Sequence, residues 1–141
     1  MEVRILHVED DLSYQQLLVE KLRNLAVAVT GITTVEEAMK LIYGGSSVLN
    51  DELLQRLKKD PLYEIVVTDV HLADTVMDGP VWLPRKDGYL LAQSALNIGI
   101  PYVFIASATD TPSKKIEGTV MFNKIQGFSP VRQLAETLAR K

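Results

Sequence analysis

The chain contains no cysteine, which removes disulfide frameworks and thiolate metal sites and leaves the redox compartment unspecified. It also has no long apolar segment, and its start, MEVRILHVEDD, places acids within about ten residues of the terminus. Neither a signal peptide nor a membrane span is expected, and a cytoplasmic location is the default. Nor is there an excess of Lys and Arg: the formal net charge is −3. Phosphate backbones select for clustered basic residues, so direct nucleic-acid binding is not expected. No internal repeat or low-complexity tract is found.

What remains is an ordinary globular composition, 47% hydrophobic and 23% charged over 141 residues, with a slightly positive mean hydropathy. That length is enough to bury a real core, and one domain spanning 1–141 is expected.

Along the chain, short apolar runs alternate with segments of helical periodicity. VRILHV at 3–8 reads as a strand, and the helix after it has Tyr14, Leu17, Leu18, Leu22 and Leu25 on one stripe, with Ser13 and Gln16 as a capping box. AVAV at 26–29 reads as a second strand. Thr34 and Glu37 cap a helix carrying Val35, Ala38, Met39 and Ile42. YGGSSVLND interrupts it, and Leu49, Leu53, Leu54 and Leu57 predict a further short helix inside an addition at about 44–62.

A third strand follows in EIVVTDVHL, 64–72. The stretch 73–87, with the Asp78-Gly79 pair, the Asp of a second pair (Asp87-Gly88) at its end, two prolines and Trp82, reads as a long loop and a second addition. DGYLLAQSALNIG at 87–99 predicts a helix, IPYVFIA at 100–106 a fourth strand and TVMF at 119–122 a fifth. Ser129 and Pro130 open a last helix with Val131, Leu134, Ala135 and Leu138 on its buried stripe. Such alternation implies an α/β fold with parallel strands, right-handed crossovers and ligand chemistry at the carboxyl ends of the strands.

Those ends carry Glu9, Asp10 and Asp11 after the first strand, Asp69 after the third, Ser107 after the fourth and Lys124 after the fifth. A single acid at a strand end is ordinarily a turn or cap residue; the set is harder to assign that way. Gathered carboxylates repel unless a hard cation neutralises them, and Mg²⁺ takes oxygen ligands while keeping waters and phosphate oxygens. A carboxylate beside such a metal is placed to attack a phosphoryl group, with a lysine ammonium and a serine hydroxyl holding the transferred oxygens.

In order along almost the whole chain, ILHVEDD, VVTDVHL, DGYLLA, FIASA and MFNK resemble the motifs of response regulator receiver domains in two-component signalling. The specificity lies in the set. The resemblance implies a doubly wound five-stranded parallel sheet of flavodoxin-like strand order 2-1-3-4-5. It implies that Glu9 and Asp10 support Mg²⁺, that Asp69 is both metal ligand and phosphoacceptor, and that His71 lends its backbone carbonyl to the metal. Ser107 takes the switch hydroxyl position beside small Ala108, and Lys124 pairs with the phosphate. A histidine kinase or phosphotransfer protein is the implied donor and a downstream protein the implied partner, with no membrane and no nucleic acid engaged directly.

The chain departs from the family at Ala73 and Ile125, where proline is usual, and at Met121, where the switch aromatic is usual. Only ATDTPSKKIEGTVMFN, 108–123, separates Ser107 from Lys124, so the fourth family helix is expected to be short or absent. The second addition either covers the site or presents Trp82 to a partner, or both additions are tolerated surface insertions. His7 reads as a packed core histidine, and the His71 side chain either influences acyl-phosphate lifetime or is an incidental surface group. Asp11 is expected at the positive end of the first helix, with a secondary role near the metal.

Two other functions stay open. One is a pseudo-receiver acting as a phosphorylation-independent interaction module. The other is a phosphatase of the haloacid dehalogenase type, which would want an aspartate where His71 stands.

Overall fold

In the computed structural model, residues 2–46, 49–70, 77–78, 81–82, 87–107 and 116–141 are described. Among the described residues, seven strands and five helices follow in chain order. They are β1 (Val3–Val8), α1 (Leu12–Lys21), β2 (Val27–Ile32), α2 (Val35–Ile42), α3 (Asp51–Lys59), β3 (Ile65–Asp69), β4 (Met77–Asp78), β5 (Val81–Trp82), α4 (Asp87–Asn97), β6 (Tyr102–Ser107), β7 (Thr119–Asn123) and α5 (Ser129–Ala139). A 3₁₀ turn, Lys124–Gln126, links β7 to α5.

Five strands form one parallel sheet in the order β2-β1-β3-β6-β7. Counted within that sheet alone, this is the expected 2-1-3-4-5. β3 lies at its centre with all five residues buried, and its first three, Ile65, Val66 and Val67, form an apolar run instead of an alternation.

Side-chain parity divides the core between the two faces of the sheet. Val3 and Ile5 of β1, Ile65 and Val67 of β3 and Phe104 of β6 pack against Leu18 and Leu22 of α1 and Val131, Ala135 and Leu138 of α5. Leu6, Val8, Val66, Val103 and Ile105 face α2, α3 and α4. Glu9 and Asp69 continue the α1/α5-facing rows of their strands, so the pleat that builds the core also aims both acids to one side.

Several expectations are corrected. The cap of α1 is Asp11, whose side chain accepts a hydrogen bond from Ser13 N at 2.9 Å. The helix therefore begins ahead of the expected Ser13–Gln16 box. Tyr14, Leu18 and Leu22, at spacing i, i+4, i+8, define the inward line, and Leu17 falls off its edge into solvent. β2 runs on through Thr30, Gly31 and Ile32 because these pair with Leu6, His7 and Val8, a tertiary override of weak local propensity. The loop expected at 73–87 contains the antiparallel pair β4·β5, with Met77 opposite Trp82 and Asp78 opposite Val81.

The first addition contributes directly to the core. Asn50 Oδ1 caps α3 by accepting from Leu53 N at 2.8 Å. Asp51 and Glu52 sit in its first turn and Arg56, Lys58 and Lys59 in its last, matching the helix dipole. Leu53 and Leu57 are buried against the α2/α4 side. The expected shortening of the fourth family helix concerns 108–115, outside the described residues, as are Ala73 and the Trp82 side chain. No described helix is long and apolar enough to cross a membrane.

Candidate functional site

At the carboxyl edge of the sheet, β1 runs directly into Glu9, which is fully buried, and Glu9 N donates to Ile32 O at 2.9 Å. The Gln15 side chain on α1 fixes the same point, its Nε2 donating to Glu9 O at 2.8 Å and to Ile32 O at 3.1 Å. A Cβ at residue 31 would meet Gln15 Oε1 at 2.6 Å, so Gly31 is the residue that lets this amide close over the ends of β1 and β2.

Asp69 ends β3 and is 6% exposed. Its backbone is held from the other side by α4: Gly88 N donates to Val70 O at 3.2 Å. A Cβ on Gly88 would overlap the Asp69 carbonyl oxygen. The glycine of DGYLLA is therefore a close-approach residue, required for the start of α4 to sit against the strand end that carries Asp69.

Lys124, 5% exposed, comes from beyond β7. Its Nζ donates to Glu9 Oε1 at 2.8 Å and Asp69 Oδ2 at 2.9 Å, and lies 4.2 Å from the centroid of the Tyr14 ring. Asp10 is exposed, and each of Glu9, Asp10 and Asp69 offers a carboxylate oxygen within 4.8 Å of the others. Ser107 ends β6, buried, in register with Asn123.

Two buried acids thus hold one ammonium, with the exposed Asp10 carboxylate beside them. Burial pushes the Glu9 carboxyl above its usual range, and the neighbouring Asp10 and Asp69 push it further, against the opposing pull of Lys124. For Lys124, burial alone would lower the pKa, but the hydrogen bonds and charges of Glu9 and Asp69 outweigh it and the net shift is upward. Ser13 holds Asp11 below its usual range.

The donor set fits a hard divalent cation: all ligands are carboxylate oxygens, Asp10 opens to solvent, and one lysine leaves negative charge in excess. The site brings together Glu9, Asp10, Asp69 and Lys124. His71 and Ala108, assigned from the resemblance, lie outside the described residues. Asp11 lies at the positive end of the first helix as expected and is its cap, and His7 is the expected core residue, 1% exposed and edge-on to Phe128. Sequence reasoning left out Tyr14, Gln15 and Gly88 as site residues. The legible signal for Tyr14 was its place in the first turn of α1, three residues after the acid Asp11 that caps the helix directly beyond the acid-bearing strand end.

No protein-family model matches the chain, and no curated protein matches it by sequence. Solved structures do match over nearly its whole length. The receiver domain of the histidine kinase CKI1 from Arabidopsis thaliana, complexed with Mg²⁺ and BeF₃⁻, aligns with a TM-score of 0.62 and 16% identity over 98% of this chain and 88% of that one. A response regulator receiver domain from Rhodospirillum rubrum aligns at 0.62 with 19% identity, covering 99% and 95%. The phosphorylated cyanobacterial phytochrome response regulator RcpA aligns at 0.62 with 17% identity, covering 98% and 91%. The chain therefore has the fold of the response regulator receiver domains, in agreement with the resemblance carried by its motifs.

Proposed function

We propose that the chain is a phosphoacceptor signalling domain in which Asp69 receives a phosphoryl group in a Mg²⁺-dependent reaction. The observation that carries this reading is the Lys124 ammonium set between Glu9 and Asp69 at the carboxyl edge of a receiver-fold sheet. In the proposed step an Asp69 carboxylate oxygen forms a bond to phosphorus while the bond from phosphorus to the donor atom breaks, and the donor leaves with that electron pair. Lys124 and Ser107 hold the transferred oxygens. Glu9, Asp10 and Asp69, with the backbone carbonyl of His71, would hold the metal, which when bound supplies charge neutralisation for the phosphoryl oxygens.

The donor in this reading is a histidine kinase or phosphotransfer protein, and the output is contact with a downstream protein in the cytoplasm. The domain assists its own phosphorylation and dephosphorylation and is not a classical enzyme. The two Lys124 ion pairs also favour a second reading. Glu9 and Asp69 are already partnered, as a phosphate-independent interaction module would need.

The test is an intact-mass spectrum after incubation with Mg²⁺ and acetyl phosphate. One phosphoryl adduct, missing in Asp69→Asn, is expected. Its absence, with a known receiver labelled in parallel, would overturn the phosphoacceptor reading in favour of the module.

A further inference from the structure

The structure assigns Tyr14 as a positioning residue for Lys124, an inference that rests on the phosphoacceptor reading for its consequence but not for its geometry. The Lys124 ammonium has three sides occupied, by Glu9 Oε1, by Asp69 Oδ2 and by the face of the Tyr14 ring 4.2 Å away. The two carboxylates are claimed twice, since both belong to the acid cluster suited to a cation. The ring is not. An aromatic face offers a partial negative charge that a hard cation with oxygen preference does not take up as a ligand, whereas an alkylammonium does. Tyr14 is therefore the one of the three partners whose hold on Lys124 is independent of what Glu9 and Asp69 are doing.

The ring's own placement is fixed from two directions. Asp11 caps α1 three residues before it, setting the helix start against the acid-bearing turn. Leu18 and Leu22 continue its line into the α1/α5 core, where Tyr14 packs half-buried. A ring anchored in this way sets the direction from which a long, flexible lysine side chain enters the site, an ordering that would otherwise cost side-chain entropy at each encounter with a phosphoryl group.

The experiment compares the parent with Tyr14→Phe, Tyr14→Leu and a series of fluorinated phenylalanines at position 14, which weaken the negative ring face while keeping its shape. Two quantities are read. The first is the ¹⁵Nζ and Cε signals of Lys124 in the protein alone, assigned with Lys124→Arg. A held ammonium gives a protected Nζ signal and a ring-shifted Cε signal, both kept in Tyr14→Phe, reduced stepwise through the fluorinated series and lost in Tyr14→Leu. The second is the rate of phosphoryl uptake from acetyl phosphate, expected to fall about fivefold in Tyr14→Leu, to follow the fluorinated series, and to be unchanged in Tyr14→Phe.

Lys124 signals that are the same in all variants would overturn the proposal, as would uptake rates that ignore the series while the signals follow it. A loss in Tyr14→Leu with no gradation in the shape-preserving series would mark the ring as core packing and overturn it too. Absence of any adduct in the parent would instead sink the phosphoacceptor reading, and the Lys124 signals would still decide whether Tyr14 holds the ammonium.

Discussion

At the scale of single residues, the burial of one histidine has a measurable consequence. His7 is enclosed in β1, and among the described residues its Nδ1 has no hydrogen-bond partner. Burial lowers its pKa to about 4, with a further push from the Lys124 charge. The unfolded chain takes up the proton near 6.5 and the folded chain only near 4, so stability is full above about pH 6.5, falls as the pH drops through that window, and levels below it. The expected loss is about 3 kcal/mol. Urea unfolding of the parent and of His7→Leu between pH 4 and 7 should show the two pH profiles diverging by that amount; parallel profiles would refute it. The histidine's packed setting was legible because its neighbours in VRILHV are apolar on both sides. The roles of Gln15 and Gly88 were not legible. Each acts by fitting against backbone from another part of the fold, and no local pattern encodes that approach.

At the scale of elements, the helix α3 is where the added sequence becomes structure. Its existence could be read from the leucine spacing, Asn50 and the charge gradient along DELLQRLKK. Its contribution to the core could not, because a stripe of leucines does not say which surface receives it. Leu57 is 4% exposed and packs with residues of α2, α4 and the sheet. Leu57→Ala is expected to cost about 2–5 kcal/mol, read from the urea midpoint at constant slope. A change under about 0.5 kcal/mol, the usual value for a surface site, would return α3 to the status of a tolerated insertion. Helix α1 shows the opposite balance. Its inward line was visible in the sequence, but the cap is Asp11, two residues ahead of the expected serine box; the Asp11 side chain accepts from Ser13 N and so satisfies one of the free backbone N–H groups of the first turn.

At the scale of the whole molecule, the strand order was implied by the resemblance to receiver domains, and the gathering of Glu9, Asp69 and Lys124 followed from alternation and from which residue types interrupt each apolar run. Strand ends in a parallel sheet converge regardless of their distance in the chain, so the list of terminal residues was already a list of neighbours. The partner that completes the lysine's surroundings, Tyr14, lies on a helix and escaped that rule. Because the acids outnumber the lysine, Mg²⁺ is expected to stabilise the folded state selectively. At a concentration one hundred times its dissociation constant the gain would be about 2.7 kcal/mol. Thermal unfolding with and without Mg²⁺ should show the rise in the parent and much less of it in Asp10→Asn, which removes the exposed carboxylate of the cluster without touching the Lys124 pairs. Equal rises in both proteins would exclude Asp10 from the metal's surroundings.

The Lys124 pairs span 115 residues to Glu9 and 55 to Asp69, and β7, which delivers the lysine, is the edge strand farthest from β2. On the ribosome, then, the acids emerge long before their counter-charge. A nascent chain that has released β1 through β6 holds Glu9 and Asp69 without their counter-charge, and on the proposed phosphoacceptor reading competence to receive a phosphoryl group arrives only when translation has passed Lys124 and the last strand has docked.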